Sequence, residues 1–183
     1  KFLRQSFLHN KTPLPVFYAT MKIHKGRNET RPVVSCSGSY LEPIGMWIDR
    51  YLQPIATKQP SYFKDSKQLK DLLLTLQLPP TAVLFTADAI SMYTNIETRP
   101  AIRAIACYLR SINFKSVPIP MMISALYLVM TKNAFTFGDT AFLQLQGTAM
   151  GTPPAPPYAN LAFAIHENTF INEFKENLIF YKR

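Results

Sequence analysis

Asp88 closes the apolar run Ala82-Val83-Leu84-Phe85-Thr86-Ala87, and Tyr93 follows five residues later. A carboxylate delivered by a rigid apolar strand suits phosphoryl transfer, where anionic oxygens hold magnesium against a polyphosphate. One carboxylate cannot hold two ions, so that chemistry requires a partner from elsewhere. The same residue type also caps turns and helices. Tyr93 is either an aromatic wall beside such a carboxylate or a core aromatic. Asn95 is a turn former.

A second segment, Gln146-Gly147-Thr148-Ala149-Met150-Gly151-Thr152, brackets small residues between two glycines. Glycine lets a backbone approach a flat ligand closely. Gln146 offers both a donor and an acceptor. Pro153, Pro154, Pro156 and Pro157 stiffen the entry to a following helix. A plain structural loop before a helix has the same composition. A third cluster, Lys22, Lys25, Arg27 and Arg31 with His24 among them, lies within ten residues. Arginine offers a fork for phosphate oxygens and lysine a point charge. A solvated hairpin would carry the same charges. Histidine caps or packs more often than it catalyses, and Phe17, Tyr18 and Tyr40 suit a core as well as base stacking.

The elements that must position these groups follow from periodicity. Residues 14–23 and 31–35 read as strands around a polar turn. Leu41, Ile44, Ile48, Tyr51, Leu52 and Ile55 keep helical spacing, as do Leu69, Leu72, Leu73 and Leu76 behind a cap at Asp65 or Ser66. A strand is predicted over Ala82–Ala87. A helix opens at Thr98 with Ile102, Ile105, Ala106 and Leu109 inward, and another runs from Pro120 to about Lys132. Gly138-Asp139 signals a hairpin between 134–137 and 140–145. A longer helix follows Pro157 to about Lys175, and Leu178–Lys182 reads as a closing strand. Hairpins and helices mix without strict alternation, which predicts an α+β fold.

With 183 residues, 48% apolar, the chain is long enough for one domain or two close lobes with a real core. Net charge is +9, and residues 1–80 hold 12 Lys/Arg against 5 Asp/Glu. That asymmetry points to a polyanionic partner, nucleic acid before an anionic membrane, although a merely soluble basic surface fits equally. No apolar run reaches the roughly 18 residues of a membrane span. Cys36 and Cys107 form no disulfide framework and no zinc-ligand spacing, which favours a reduced, intracellular setting.

Taken in order, Met21-Lys22-Ile23-His24-Lys25, Arg31-Pro32-Val33-Val34-Ser35, Asp88 through Ile96 and Gln146 through Leu161 resemble the fingers and palm of reverse transcriptases, most of all those of Penelope-like retroelements. The resemblance implies a right-hand polymerase with fingers over 1–80 and 100–148 and palm over 81–99 and 149–183, the thumb being absent. It implies that Asp88, with the carbonyl of Ala89, binds Mg2+, with Mn2+ as a substitute. Tyr93 becomes the gate that excludes a ribose 2′-hydroxyl. Lys22 and Arg31 hold the triphosphate, Gln146 and Gly147 meet the incoming nucleotide and template, and Lys25, Arg27 and Gly151 touch nucleic acid.

The implied partners are an RNA template, a DNA primer and deoxynucleoside triphosphates, in the nucleus and without a membrane. The implied reaction is attack of a primer 3′-oxygen on the α-phosphate with pyrophosphate leaving. Two departures stand out. Met21 occupies a position where the family has proline. The family's second aspartate pair would follow a strand like Leu178–Arg183, so the 183 residues are expected to be an inactive portion of a longer enzyme. Self-association through an uncovered palm face is a further expectation. The alternatives are an RNA-directed RNA polymerase, which Tyr93 disfavours, and a non-catalytic nucleic-acid-binding or assembly module.

Overall fold

The computed structural model describes residues 14–23 and 29–183. The fold is α+β. Strands β1 (Val16–Met21) and β2 (Thr30–Ser35) form one antiparallel hairpin, and β3 (Ala134–Phe137) and β4 (Thr140–Leu143) form another. A single parallel pairing, Val16 with Thr136, joins them into a sheet ordered β2-β1-β3-β4. The Thr136 amide donates to the Pro15 carbonyl at 2.8 Å beside that pairing. Phe17, Phe135, Phe137 and Phe142 form a chain of ring contacts across the join, with centroids 5.3–5.8 Å apart. Gly138 turns the second hairpin at φ +58°, a backbone that a side chain would strain.

Helices α1 (Glu42–Ala56), α4 (Thr98–Ser111), α5 (Ile119–Thr131) and α6 (Ala155–Glu173) surround one core. The inward residues match the helical spacing: Ile48 and Leu52 from α1, Ile105 and Leu109 from α4, Met122 and Leu126 from α5, and Tyr158 and Leu161 from α6, all fully buried. Helix α2 (Ser66–Thr75) is capped by Asp65, whose carboxylate accepts from the Gln68 amide at 2.9 Å. It buries none of its residues. Helix α3 (Met92–Asn95) is a single turn. Helix α6 begins two residues before Pro157, because prolines fit the first helical turn, where amide donors are not needed.

Two predicted strands do not form. Residues 82–89 are irregular and residues 83–89 are exposed, with Val83, Leu84 and Phe85 at 90%, 74% and 83% accessibility. No strand among the described residues lies alongside them, and a strand without a ladder leaves its backbone polar groups to water. The second is Leu178–Lys182, which is also irregular. There side chains take over the anchoring. Arg183 meets the Glu167 carboxylate from Nε at 2.6 Å and Nη2 at 3.2 Å, and the Asn160 side chain from Nη1 at 2.9 Å. The Arg183 amide donates to the Ser61 carbonyl at 2.6 Å, and Lys182 Nζ to the Pro60 carbonyl at 2.7 Å. Ser61 Oγ and the Tyr181 hydroxyl also donate to Glu167. Burial alone would raise the Glu167 pKa, but the hydrogen bonds from Arg183, Ser61 and Tyr181 and the Arg183 charge hold it below the usual carboxylate range.

Candidate active site

The hairpin sets the cationic wall. Its register pairs Thr20 with Arg31 and Tyr18 with Val33. The ladder runs one bond further, the Lys22 amide donating to the Glu29 carbonyl at 2.9 Å. Cross-strand partners share a sheet face, so Lys22, Thr20 and Tyr18 lie on the same side as Arg31 and Val33. Lys22 Nζ contacts the Glu29 carboxylate at 3.0 Å. By residue type Lys22 is a point charge for phosphate, whereas the structure pairs it with Glu29; Arg31 on the same face is exposed. Glu29 was missed because its opposition to Lys22 depends on the turn length. His24, Lys25 and Arg27 lie outside the described residues.

The Gln146–Thr152 turn is held from both sides. The Thr148 amide donates to the Tyr93 carbonyl at 2.7 Å, and the Val34 amide to the Met150 carbonyl at 2.7 Å. Gly147 has φ +77°, and a Cβ there would sit 2.8 Å from Thr94 Cα. Gly151 has φ +113°, and a Cβ there would run into the Val34 carbonyl oxygen. Both glycines are therefore dictated by backbone sign and by backbone proximity together. Beyond the turn, Pro153 presses on Gly45 of α1, where a Cβ would lie 3.0 Å from its ring. Upstream, Gln144 accepts from Asn133 Nδ2 at 2.9 Å and donates to the Gln146 carbonyl at 3.0 Å.

Tyr93 sits on α3, half-buried against the core. Burial pushes its phenol pKa up, so the hydroxyl stays neutral. Helix α3 is closed by Asn95, whose side-chain amide donates to the Ile90 carbonyl at 3.1 Å, and it opens from Ser91 at φ +51°. The turn role of Asn95 is thereby realised. Thr148 was not singled out from sequence. It is 2% exposed and its hydroxyl has no hydrogen-bond partner, which makes it the one orphaned polar atom inside the turn among the described residues.

Asp88 and Ala89 do not join this assembly through any bond. Both are exposed on the irregular 82–89 segment, and no hydrogen bond or ion pair among the described residues fixes the Asp88 carboxylate. Connectivity keeps Asp88 within about 7 Å of Ile90, the anchor of α3. Asp88 and the Ala89 carbonyl supply at most three oxygens, while Mg2+ takes about six ligands and a two-ion centre needs bridging carboxylates. No group of three or more His, Cys, Asp or Glu among the described residues could hold a metal. These residues therefore do not fit a two-magnesium centre by themselves. Gln146 is exposed at the lip of the turn.

The Gln146–Thr152 turn is thus tied by backbone hydrogen bonds to Tyr93 of α3 and to Val34 of β2, the strand that also carries Arg31. Among the described residues no helix is long and apolar enough to cross a membrane, and both cysteines are free. Comparison with known proteins gives no matching family model, no matching curated protein and no matching solved structure.

Proposed function

We propose that the chain is the fingers and part of the palm of an RNA-directed DNA polymerase. One observation carries this reading. The Gln146–Thr152 turn is hydrogen-bonded to Tyr93 on one side and to β2 on the other, so three motifs far apart in sequence meet at one turn. The sheet also unites strands from 1–80 and 100–148, the two stretches assigned to the fingers.

In this reading Arg31, with Lys22 behind it, holds the triphosphate of an incoming nucleotide. Gln146, exposed at the lip of the turn, and Gly147 meet the incoming nucleotide and the template. Tyr93 fills the volume a 2′-hydroxyl would need. The chemical step requires carboxylates beyond Asp88, so residues 1–183 alone should extend no primer.

Equilibrium binding of dATP and ATP to the chain with a template–primer duplex tests this. The deoxynucleotide should bind at least about tenfold tighter, and Tyr93→Ala should erase most of that preference. Equal binding of the two sugars by the unaltered chain would sink the proposal. The isolated, exposed Asp88 favours a second reading, a nucleic-acid-binding module without catalysis. That reading predicts oligonucleotide binding that weakens steeply with salt and is indifferent to added nucleotide.

A further inference from the structure

A groove of about 440 Å3 opens between the C-terminal end of α1 and that of α4. It lies toward the opposite end of α1 from Gly45, which touches the candidate site, and about 8–15 Å of helix separates Gly45 from the α1 residues that line it. Its aromatic walls are Tyr51, Tyr108 and Phe114, and its cations are Arg50 and Lys58. Both cations are exposed, and neither has an ion-pair partner among the described residues. No carboxylate lines the groove.

The floor is built. Gln59 is 5% exposed and its amide is fully committed. It donates at 2.9 Å to both the Ile55 carbonyl and the Tyr108 hydroxyl and accepts at 3.1 Å from Asn168 of α6. Tyr108 therefore receives a hydrogen bond on its oxygen, and its own proton has no acceptor among the described residues. A fixed hydroxyl donor thus stands among aromatic walls, with two cations at the lip. The volume falls in the range of small-molecule sites, about 300–1,000 Å3.

We infer that this groove binds a nucleoside phosphate, with the base against Tyr51, Tyr108 and Phe114 and the phosphate on Arg50 and Lys58. Aromatic faces stack on any base, and a guanidinium with an ammonium neutralises a phosphate that an apolar groove alone would reject. The site is separate from the candidate active site and does not rest on the polymerase reading. The ligand is either a free nucleotide or one unit of a single strand.

The chain's one tryptophan supplies a readout, because Trp47 packs edge-on against Tyr51 with ring centroids 5.3 Å apart. Titration of the 183-residue chain with AMP should give a saturable change in Trp47 emission, confirmed by calorimetry. Adenosine and inorganic phosphate should each bind at least about tenfold more weakly. Arg50→Gln with Lys58→Gln, both at exposed positions, should weaken AMP about tenfold or more and leave adenosine unchanged. Tyr108→Phe keeps the packing and should weaken AMP severalfold. A (rA)6 strand binding tighter than AMP assigns the site to a strand, and equal affinity assigns it to the free nucleotide; both results support the groove. Three outcomes overturn the proposal: no saturable AMP signal, an unchanged AMP affinity in the double variant, or phosphate alone binding as tightly as AMP.

Discussion

The turn at 146–152 and the segment at 82–89 have similar lengths and both border α3, yet they end in opposite states. The turn is gripped by backbone hydrogen bonds to Tyr93 and Val34 and tolerates no Cβ at two positions. The other segment carries bulkier apolar residues and packs them against nothing. Hydrophobicity therefore does not decide which loop is rigid. The turn is fixed because its partners, β2 and α3, are themselves anchored. The 82–89 run has strand composition but no neighbour to complete a ladder. The tail at 178–183 lies between these cases. It also has strand composition and lacks a ladder, but it is held by the side chains of Tyr181, Lys182 and Arg183.

This contrast can be broken experimentally, and the largest effect belongs to the turn. Gly151→Ala should destabilise the chain by about 3 kcal/mol in urea unfolding, because positive φ and a backbone collision act together. A loss below about 1 kcal/mol would show the turn to be pliable. Next comes the tail. Glu167→Gln should cost about 2 kcal/mol at neutral pH, since it leaves Arg183 partly buried beside an uncharged partner. The folded Glu167 pKa is depressed, so its contribution is complete above the unfolded value of about 4.3 and is lost as pH falls through the lower folded value. The stability gap between the two proteins should therefore narrow on acidification below about pH 4.3. A gap that stays constant down to pH 3 would remove the ion pair from the account.

Gly138→Ala separates backbone strain from collision. Its φ is +58° but nothing lies within 4 Å of the added Cβ, so the cost should be about 1 kcal/mol. A penalty matching that of Gly151→Ala would show that sign alone matters. Phe85→Ser should change stability by less than about 0.5 kcal/mol, because the ring is already in water. A larger loss would mean that the 82–89 segment is packed in solution, by a second copy for instance, and analytical ultracentrifugation would then show self-association.

Much of the fold is legible in the sequence because helices and hairpins carry local signals. The spacing of Ile102, Ile105 and Leu109 places the inner face of α4, and Gly138-Asp139 the second hairpin, while the α2 cap is narrowed to Asp65 or Ser66 and the structure selects Asp65. Residues 82–87 and 178–182 failed for a shared reason. Strand propensity records only that a residue fits a pleated surface, whereas a strand also needs a neighbour that no local pattern supplies. Of the candidate site, the glycines, Tyr93 and Arg31 were readable from type and order. The Lys22–Glu29 pair was not, because it depends on hairpin register. The Arg183–Glu167 contact was not either, since nothing in a stretch of 16 residues marks the two as neighbours.

The lone parallel pairing between Val16 and Thr136 has a kinetic consequence. Thr136 and its partner Pro15 are 121 positions apart. At a synthesis rate of about 5–20 residues per second, the first hairpin, complete at Ser35, waits roughly 5–20 s for β3 to leave the ribosome. During that interval the open flank of β1 is exposed to any passing extended peptide, and closing so long a loop is entropically slow. Sheet completion should therefore be a late folding event, trailing the helical core.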